Sequence, residues 1–319
     1  MSKKNLILGG VLIILIALAY LYQGPLKKWQ ASLGEAENFL ARVDLDKISK
    51  IEITKEGKTI TLERVGDPSA SSGQVKLKIG GTKDFYASKN IADNLISSLK
   101  EAGKSELELA SSNKEKKSEF ETDESGTAVK IYEGDNLKAD FIVGKFGSDF
   151  ASSYISRPGA DSTYRVKGGL SGAINQDEWR DTAIFSSDKE KINKIRFQYP
   201  TREFTVEKKD APSSSSGQGE WKGTIPYGFK VNKDKVVKIL NIMSNLTATE
   251  IPEQKFAGTG LEKNNIIIQA TGEGVDNTLM VGDFNGKDLY YAKKGNSDNI
   301  YLITKEQRDE LNKRIQDLR

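Results

Sequence analysis

The sequence predicts an α+β protein: an N-terminal transmembrane helix followed by two tandem copies of a β-rich α+β domain. Three observations carry this. Residues 6–22, LILGGVLIILIALAYLY, contain no charge. The serine-rich phrase DPSASSGQ at residues 67–74 returns as APSSSSGQ at residues 211–218, so that Gly73 and Gly217 stand 144 residues apart in a chain of 319. Around both phrases apolar and polar residues alternate with a period of two, the pattern of half-buried strands.

The apolar run, extended by Asn5, Gln23 and Gly24, approaches the roughly 20 residues needed to cross a bilayer. Tyr20 and Tyr22 suit an interfacial aromatic belt, and Gly24-Pro25 ends the helix. Residues 1–28 are therefore read as a membrane anchor and 29–40 as a juxtamembrane linker. The competing reading is a cleaved signal peptide, because Ala17-Leu18-Ala19 has the small-x-small form of a cleavage site. The continuation of the apolar run through Tyr20-Leu21-Tyr22 favours the anchor. Lys3 and Lys4 face Lys27 and Lys28 across the span, so the positive-inside bias is nearly balanced. A short cytoplasmic tail and an exported body are expected.

The first repeat, with a boundary segment, is assigned to 41–187 and the second to 188–319. Ile48-Ser-Lys-Ile51-Glu-Ile53 aligns with Ile192-Asn-Lys-Ile195-Arg-Phe197, and Thr59-Ile-Thr-Leu62-Glu with Glu203-Phe-Thr-Val206-Glu, so each copy opens with a β-hairpin. A helix follows the serine phrase in each: Ile91, Leu95 and Leu99 share a face in the first copy, and Val236, Ile239, Leu240 and Met243 in the second, with Asn232 as N-cap. Ala128-Val-Lys-Ile131 is then matched to Ile266-Ile-Ile-Gln269, and Val143-Gly144 to Val281-Gly282, at an offset of 138. Tyr154 and Tyr164 match Tyr291 and Tyr301, as paired strands around a Gly-containing turn would. Thr304-Lys-Glu-Gln307 is a capping box, expected to open a helix with Leu311, Ile315 and Leu318 on one face. The first copy has a weaker helical stretch around Leu170 and Ile174.

Composition narrows the chemistry. Lys+Arg number 48 against 45 Asp+Glu; without Lys3, Lys4, Lys27 and Lys28 the balance is 44 to 45, so the basic character belongs to the membrane end. No basic stripe marks a nucleic-acid binder, and no nucleic-acid partner is expected. The chain has no cysteine and no histidine. Disulfides, thiolate nucleophiles, Cys/His zinc sites and histidine bases are excluded, leaving carboxylates, Lys and Tyr for any acid–base work.

The N-terminal anchor, the Lys-Ile-Glu-Ile opening hairpin, Val143-Gly144-Lys145, the Tyr-rich hairpin and Trp179-Arg180-Asp181 together resemble domain-of-unknown-function family 4340, over nearly the whole chain after residue 40. The resemblance implies a bacterial, membrane-anchored protein of the kind often encoded beside gliding-type ABC exporters, and so an envelope accessory role by association. The serine loops depart from relatives that carry a short turn leading to a Trp. Trp221 keeps that Trp in the second copy, while Val75 or Leu77 replaces it in the first.

Other motifs read as structure. The serine loops are solvated hairpin tips, with a glycosylated or partner-contacting tip as the alternative. Asp283-Phe-Asn285-Gly286-Lys-Asp288 opens like a calcium loop but lacks its glycine at position six and glutamate at position twelve, so a β-turn is expected. Gly169-Leu-Ser171-Gly-Ala173 lacks the last glycine and histidine partner of a nucleophile elbow. Gly258-Thr-Gly260 is a loop, not a nucleotide cradle. Trp179 is expected to pack at the domain boundary among Asp177, Glu178, Arg180 and Asp181, with a protein contact as the alternative. Glu119, Glu121, Asp123 and Glu124 form a solvated acidic loop.

No catalytic, cofactor-binding or metal-binding residue is assigned, and no cofactor is expected. The function expected is that of a non-enzymatic, single-pass envelope protein, an accessory to an ABC-type export or motility assembly. Its partners would be the membrane and an integral membrane protein such as an ABC-type permease. The alternatives are an extracytoplasmic ligand- or glycan-binding module, which would expose Tyr154, Tyr164, Tyr290 and Tyr291, and a carboxylate-only hydrolase with two acids in one cleft. Intact-mass analysis of the membrane fraction is expected to find residues 1–28 attached, and a mature chain beginning at Tyr20 would contradict the anchor.

Overall fold

The computed structural model describes residues 38–66, 76–81, 83–209, 219–263 and 265–319. The anchor 1–28, most of the linker and both serine phrases lie outside them. Among the described residues no helix is long and apolar enough to cross a membrane. Packing divides them into two units: residues 38–80 with Lys89–Trp179, and Gly81–Ser88 with Arg180–Arg319. The repeat limits 41–187 and 188–319 follow internal sequence likeness, whereas the units follow contact.

In the first unit β1 (Ile48–Lys55), β2 (Lys58–Val65), β3 (Lys76–Ile79), β4 (Glu108–Ser111), β5 (Thr127–Glu133), β6 (Asn136–Phe146), β7 (Ser152–Ser156) and β8 (Thr163–Lys167) form one antiparallel sheet in the order β3-β2-β1-β5-β6-β7-β8-β4. One face of it is buried, through Ile51, Ile53, Leu62, Val129, Ile131, Phe141 and Val143. Helices α1 (Lys89–Lys104) and α2 (Leu170–Ile174) complete the core. Ala92, Leu95, Leu99 and Ala102 recur at helical spacing and are buried, whereas Ile91, expected on that face, is only half-buried. The open C-terminal carbonyls of α1 are met by Asn38, whose Nδ2 donates to Ala102 O and Ser105 O at 2.7 Å each.

The second unit holds β9 (Ala183–Ser186), β10 (Ile192–Tyr199), β11 (Arg202–Lys209), β12 (Glu220–Ile225), β13 (Phe229–Lys230), α3 (Lys233–Ser244), β14 (Asn245–Thr247), β15 (Ile266–Gly272), β16 (Val275–Phe284), β17 (Leu289–Lys294), β18 (Ile300–Thr304) and α4 (Lys305–Leu311). Its sheet runs β13-β12-β11-β10-β15-β16-β17-β18, and β14 pairs separately with β9. As expected, Val236, Ile239, Leu240 and Met243 of α3 are buried, and Asn232 caps it by accepting from Asp234 N and Lys235 N.

Seven strands of each sheet repeat in the same order, β3-β2-β1-β5-β6-β7-β8 against β12-β11-β10-β15-β16-β17-β18, and each sheet adds one edge strand of its own, β4 and β13. Ile51 faces Leu62 and Ile195 faces Val206, and the same register shift follows Ile48 and Ile192. Val65 pairs with Lys76 and Lys209 with Glu220, so each serine phrase joins two paired strands at the 144-residue offset. Leu77, buried and opposite Arg64, takes the place that Trp221 holds opposite Lys208.

The next strand corrects the sequence alignment. Ile53 faces Val129 while its counterpart Phe197 faces Ile268, which sets the offset on β5 and β15 at 139 rather than 138. A bulge beyond Ile131 inserts one residue into β6, and the offset becomes 138 only from Ala139 and Asn277 onward. A slip of one residue exchanges the faces of a strand. The short Ala/Ile-rich run of β15, buried at Ile266, Ile268 and Ala270, is apolar on both faces at its start and hides the slip.

The copies differ after the helix. In the first, β4 joins the sheet beside β8; in the second, β14 turns to β9 and only the bridge between Glu250 and Leu302 touches β18. The free edge of β18 is nevertheless met: Gln254 exchanges hydrogen bonds with Ile300 N and O (2.8 and 3.0 Å), and Gln307 accepts from Thr304 N at 2.8 Å.

Val143-Gly144 and Val281-Gly282 stand where β6 and β16 shift register against β7 and β17. A Cβ on Gly144 would run into the carbonyl oxygen of Phe120, and one on Gly282 into that of Thr259. Both obstacles are backbone and cannot swing aside. Gly144→Ala and Gly282→Ala are therefore each expected to lower stability by about 1–3 kcal/mol in denaturant melts, whereas Gly228→Ala, with no such neighbour, should stay within about 0.5 kcal/mol.

The capping box at Thr304 forms, but the helix it opens stops at Leu311 instead of running on to Leu318, and a separate 3₁₀ turn spans Ile315–Leu318. Tyr199 accounts for the break. Its hydroxyl donates to Leu311 O at 2.7 Å and accepts from Lys313 N at 2.9 Å, while Arg202 lies 3.8 Å over its ring and donates to Asn312 Oδ1 at 2.8 Å. Those bonds replace the next helical turn. Burial pushes the Tyr199 phenol up to about 12, above the ordinary value near 10. Its neutral form therefore stabilises the fold fully below pH ~10, and that contribution is lost as pH rises through about 12. Tyr199→Phe is expected to cost about 1–3 kcal/mol at pH 7. The gap between wild type and variant should close between pH ~10 and ~12.

Candidate functional site

Most motifs singled out from the sequence prove to be joints of the frame. Ser171 is buried; its Oγ donates to Gly144 O at 2.6 Å and its N–H to Ser153 Oγ at 2.9 Å, tying α2 to β6 and β7. Thr259 O, between Gly258 and Gly260, accepts from Asp283 N at 2.7 Å. Asp283 is held by Lys263 (2.8 Å) and Asn265 (3.0 Å), and Asn285 Oδ1 accepts from Lys287 N and Leu289 N, which makes the stretch a capped β-turn.

Trp179 is buried in the first unit, beside a groove of about 390 Å³ that Lys55, Glu56, Lys58 and Asp177 also line. Arg180 belongs to the second unit, where it covers the Phe85 ring at 5.4 Å and donates to Ile251 O. The acidic stretch is ordered locally: Asp123 Oδ1 accepts from Ser125 Oγ and N, the bonds that lower its pKa. Tyr154, Tyr164, Tyr290 and Tyr291 are all half-buried. Tyr154 packs on Phe120 at 4.6 Å, and Tyr290 lies between Phe284 and Arg308, so these tyrosines do not form an exposed set.

The most exposed large apolar side chain that the described residues present is one the sequence patterns pass over. Phe150 is 80 % exposed, in the turn joining β6 to β7, with a left-handed φ of 55°. An aromatic residue there is costly, about 1–2 kcal/mol by backbone sterics alone. The turn is rigid: Asp149 Oδ1 accepts from Ser152 Oγ (2.7 Å), Ser152 N (2.9 Å) and Ala151 N (3.2 Å), which holds the Asp149 carboxyl below the usual range, and Phe150 N donates to Gly147 O. Phe146, at the end of β6, is 41 % exposed. In the second copy the corresponding turn is closed by Asn285, which stands at the place of Gly147, and its left-handed positions are filled by Gly286 and Asp288. Aspartate adopts that conformation readily.

Turn geometry therefore does not call for a phenylalanine. The signal was present in the internal repeat, as an aromatic in a Gly-Ser-Asp-Phe turn where the other copy has Asn-Gly-Lys-Asp.

The family described as Domain of unknown function (DUF4340) matches residues 78–220 and 221–319, more than half of the chain. The chain belongs to the DUF4340 family. The two matched segments do not follow the sheet boundaries: the first begins after β1 and β2 and takes in β10 and β11 of the second sheet, and Val143-Gly144, which carried part of the resemblance, lies within it. No curated protein and no solved structure matches the chain.

Proposed function

We propose that this DUF4340 member is a non-enzymatic, membrane-anchored protein of the bacterial cell envelope that holds an integral membrane partner, as an accessory to an ABC-type export or motility assembly. Phe150 carries the reading. A bulky aromatic in a left-handed turn position, exposed and braced by Asp149, adds nothing to the core; pre-organised aromatics of this kind serve as anchors in protein interfaces. Phe146 adds apolar surface beside it. The uncharged run at residues 6–22 supports attachment to the same membrane as the partner.

The experiment places a photo-crosslinking phenylalanine analogue at position 150 and irradiates native membranes. The result expected is capture of a multi-span permease of the ABC type. Phe150→Asn, which suits the left-handed backbone, should leave the melting temperature unchanged or higher and reduce recovery of that permease about tenfold or more. Unchanged recovery, or a purified body with saturable hydrolytic activity lost on changing one carboxylate, would defeat the reading.

A further inference from the structure

The second unit exposes an apolar turn that its frame does not require. Between β12 and β13, Ile225, Pro226 and Tyr227 follow one another, with Ile225 45 % and Tyr227 53 % exposed. At the 144-residue offset that relates Trp221 to Leu77 and Phe229 to Phe85, the first copy has Gly81-Thr82-Lys83. The same step of the chain is thus made once without any large apolar side chain. Leaving two of them side by side in water forfeits the gain of burying them.

Beside this turn lies a cavity of about 500 Å³, walled by Arg202, Phe204, Tyr227, Arg314 and Arg319 among others. Its aromatic floor is fixed. Phe204 and Phe229 are buried, Tyr227 stands edge-on to Phe229 at 6.2 Å, and Phe229 edge-on to Phe204 at 6.5 Å. Two arginines rest on the same cluster, Arg202 at 3.8 Å over Tyr199 and Arg319 at 5.8 Å over Phe229. Arg202 is tied to Asn312, whereas Arg314 and Arg319 are exposed, and neither guanidinium enters an ion pair among the described residues.

The nearby acceptors are already engaged. Glu203, the one acidic side chain that lines the cavity, pairs with Arg196 at 2.7 Å; Asp317 Oδ2 accepts from Arg314 N at 2.7 Å, and Arg319 O accepts from Lys235 at 2.8 Å. Positive charge is left in excess, on side chains whose planar forks suit phosphate oxygens. A free anion would use the arginines and leave Ile225-Pro226-Tyr227 in water. The surface of an anionic bilayer uses both. Basic side chains lie there at the level of the phosphates, apolar ones enter the acyl boundary, and tyrosine occupies the layer between.

We infer that the turn Ile225–Tyr227 and the arginine cavity beside it dock the second unit on an anionic phospholipid surface, with Arg314 and Arg319 on headgroup phosphates and Ile225 and Tyr227 in the interface. This face is independent of the Phe150 surface, and each can fail without the other.

The chain has no cysteine, so Gly228→Cys, where a Cβ meets nothing closer than Gly223 O at 4.0 Å, can carry a nitroxide within the turn of the full chain. The labelled protein is reconstituted into vesicles of phosphatidylcholine alone or with about one third phosphatidylglycerol. Power-saturation EPR then compares collision of the label with oxygen and with a water-soluble nickel chelate. Contact is read at residue 228 itself, which separates it from attachment through residues 1–28. The oxygen-to-nickel ratio is expected to be about threefold or more higher with phosphatidylglycerol. Arg314→Gln with Arg319→Gln should abolish that rise, because each arginine at an anionic surface is worth about fivefold in affinity. Tyr227→Ser should at least halve it, and the melting temperatures of these exposed-site variants should not change. Equal ratios in the two vesicles, a rise that survives the substitutions, or a rise erased by millimolar inorganic phosphate, the mark of a site for a free anion, would overturn the inference.

Discussion

In each copy a backbone carbonyl occupies the space that a Cβ on a glycine would need, Phe120 at Gly144 and Thr259 at Gly282, and the rest of the domain is arranged around that contact. It lies at the register shift of the longest strand, so the sheet twists there and the following hairpin takes its direction from it. In the first copy the same glycine offers its carbonyl to Ser171, which seats α2; in the second, Asp283 N closes on Thr259 O. One small residue thus joins sheet, loop and either helix or turn, and a methyl group on it would disturb all of them together.

Because both copies keep this joint, divergence has moved to the rims. Beside β8 the first copy has β4, while the second leaves β18 to Gln254 and a single bridge. At the turn after the joint one copy presents Phe150 and the other a conventional Asn-capped turn with Asp288. At the far end of the last hairpin, Ser162 in one copy stands where the other has the buried Asn299. The frame is common to both copies; the residues at its rims are not.

How much of this could be read from the sequence follows from the kind of physics each feature uses. Helix caps are local, and Asn232 and Thr304 behave as their spacing implies. Strand alternation placed the opening hairpins in register. It failed on β15, where Ile266-Ile267-Ile268 is apolar at successive positions and carries no phase. The C-terminal helix ends early because Tyr199, over a hundred residues away, supplies the competing bonds. The exposure of Phe150 was invisible for a related reason: it goes with a positive φ, which is a property of the folded chain. The anchor and the serine phrases lie outside the described residues.

The two copies share one register around the glycine joint, with β5 and β15 related by 139 residues. The chain has no native cysteine, so engineered pairs report pairing directly. Glu52→Cys with Lys130→Cys, and Arg196→Cys with Gln269→Cys, place thiols opposite one another on the same face of neighbouring strands. Both pairs should oxidise to disulfides at similar rates, while Arg196→Cys with Ile268→Cys, the pairing of a one-residue slip, should not. Crosslinking of the slipped pair, or of one register pair without the other, would contradict the shared frame.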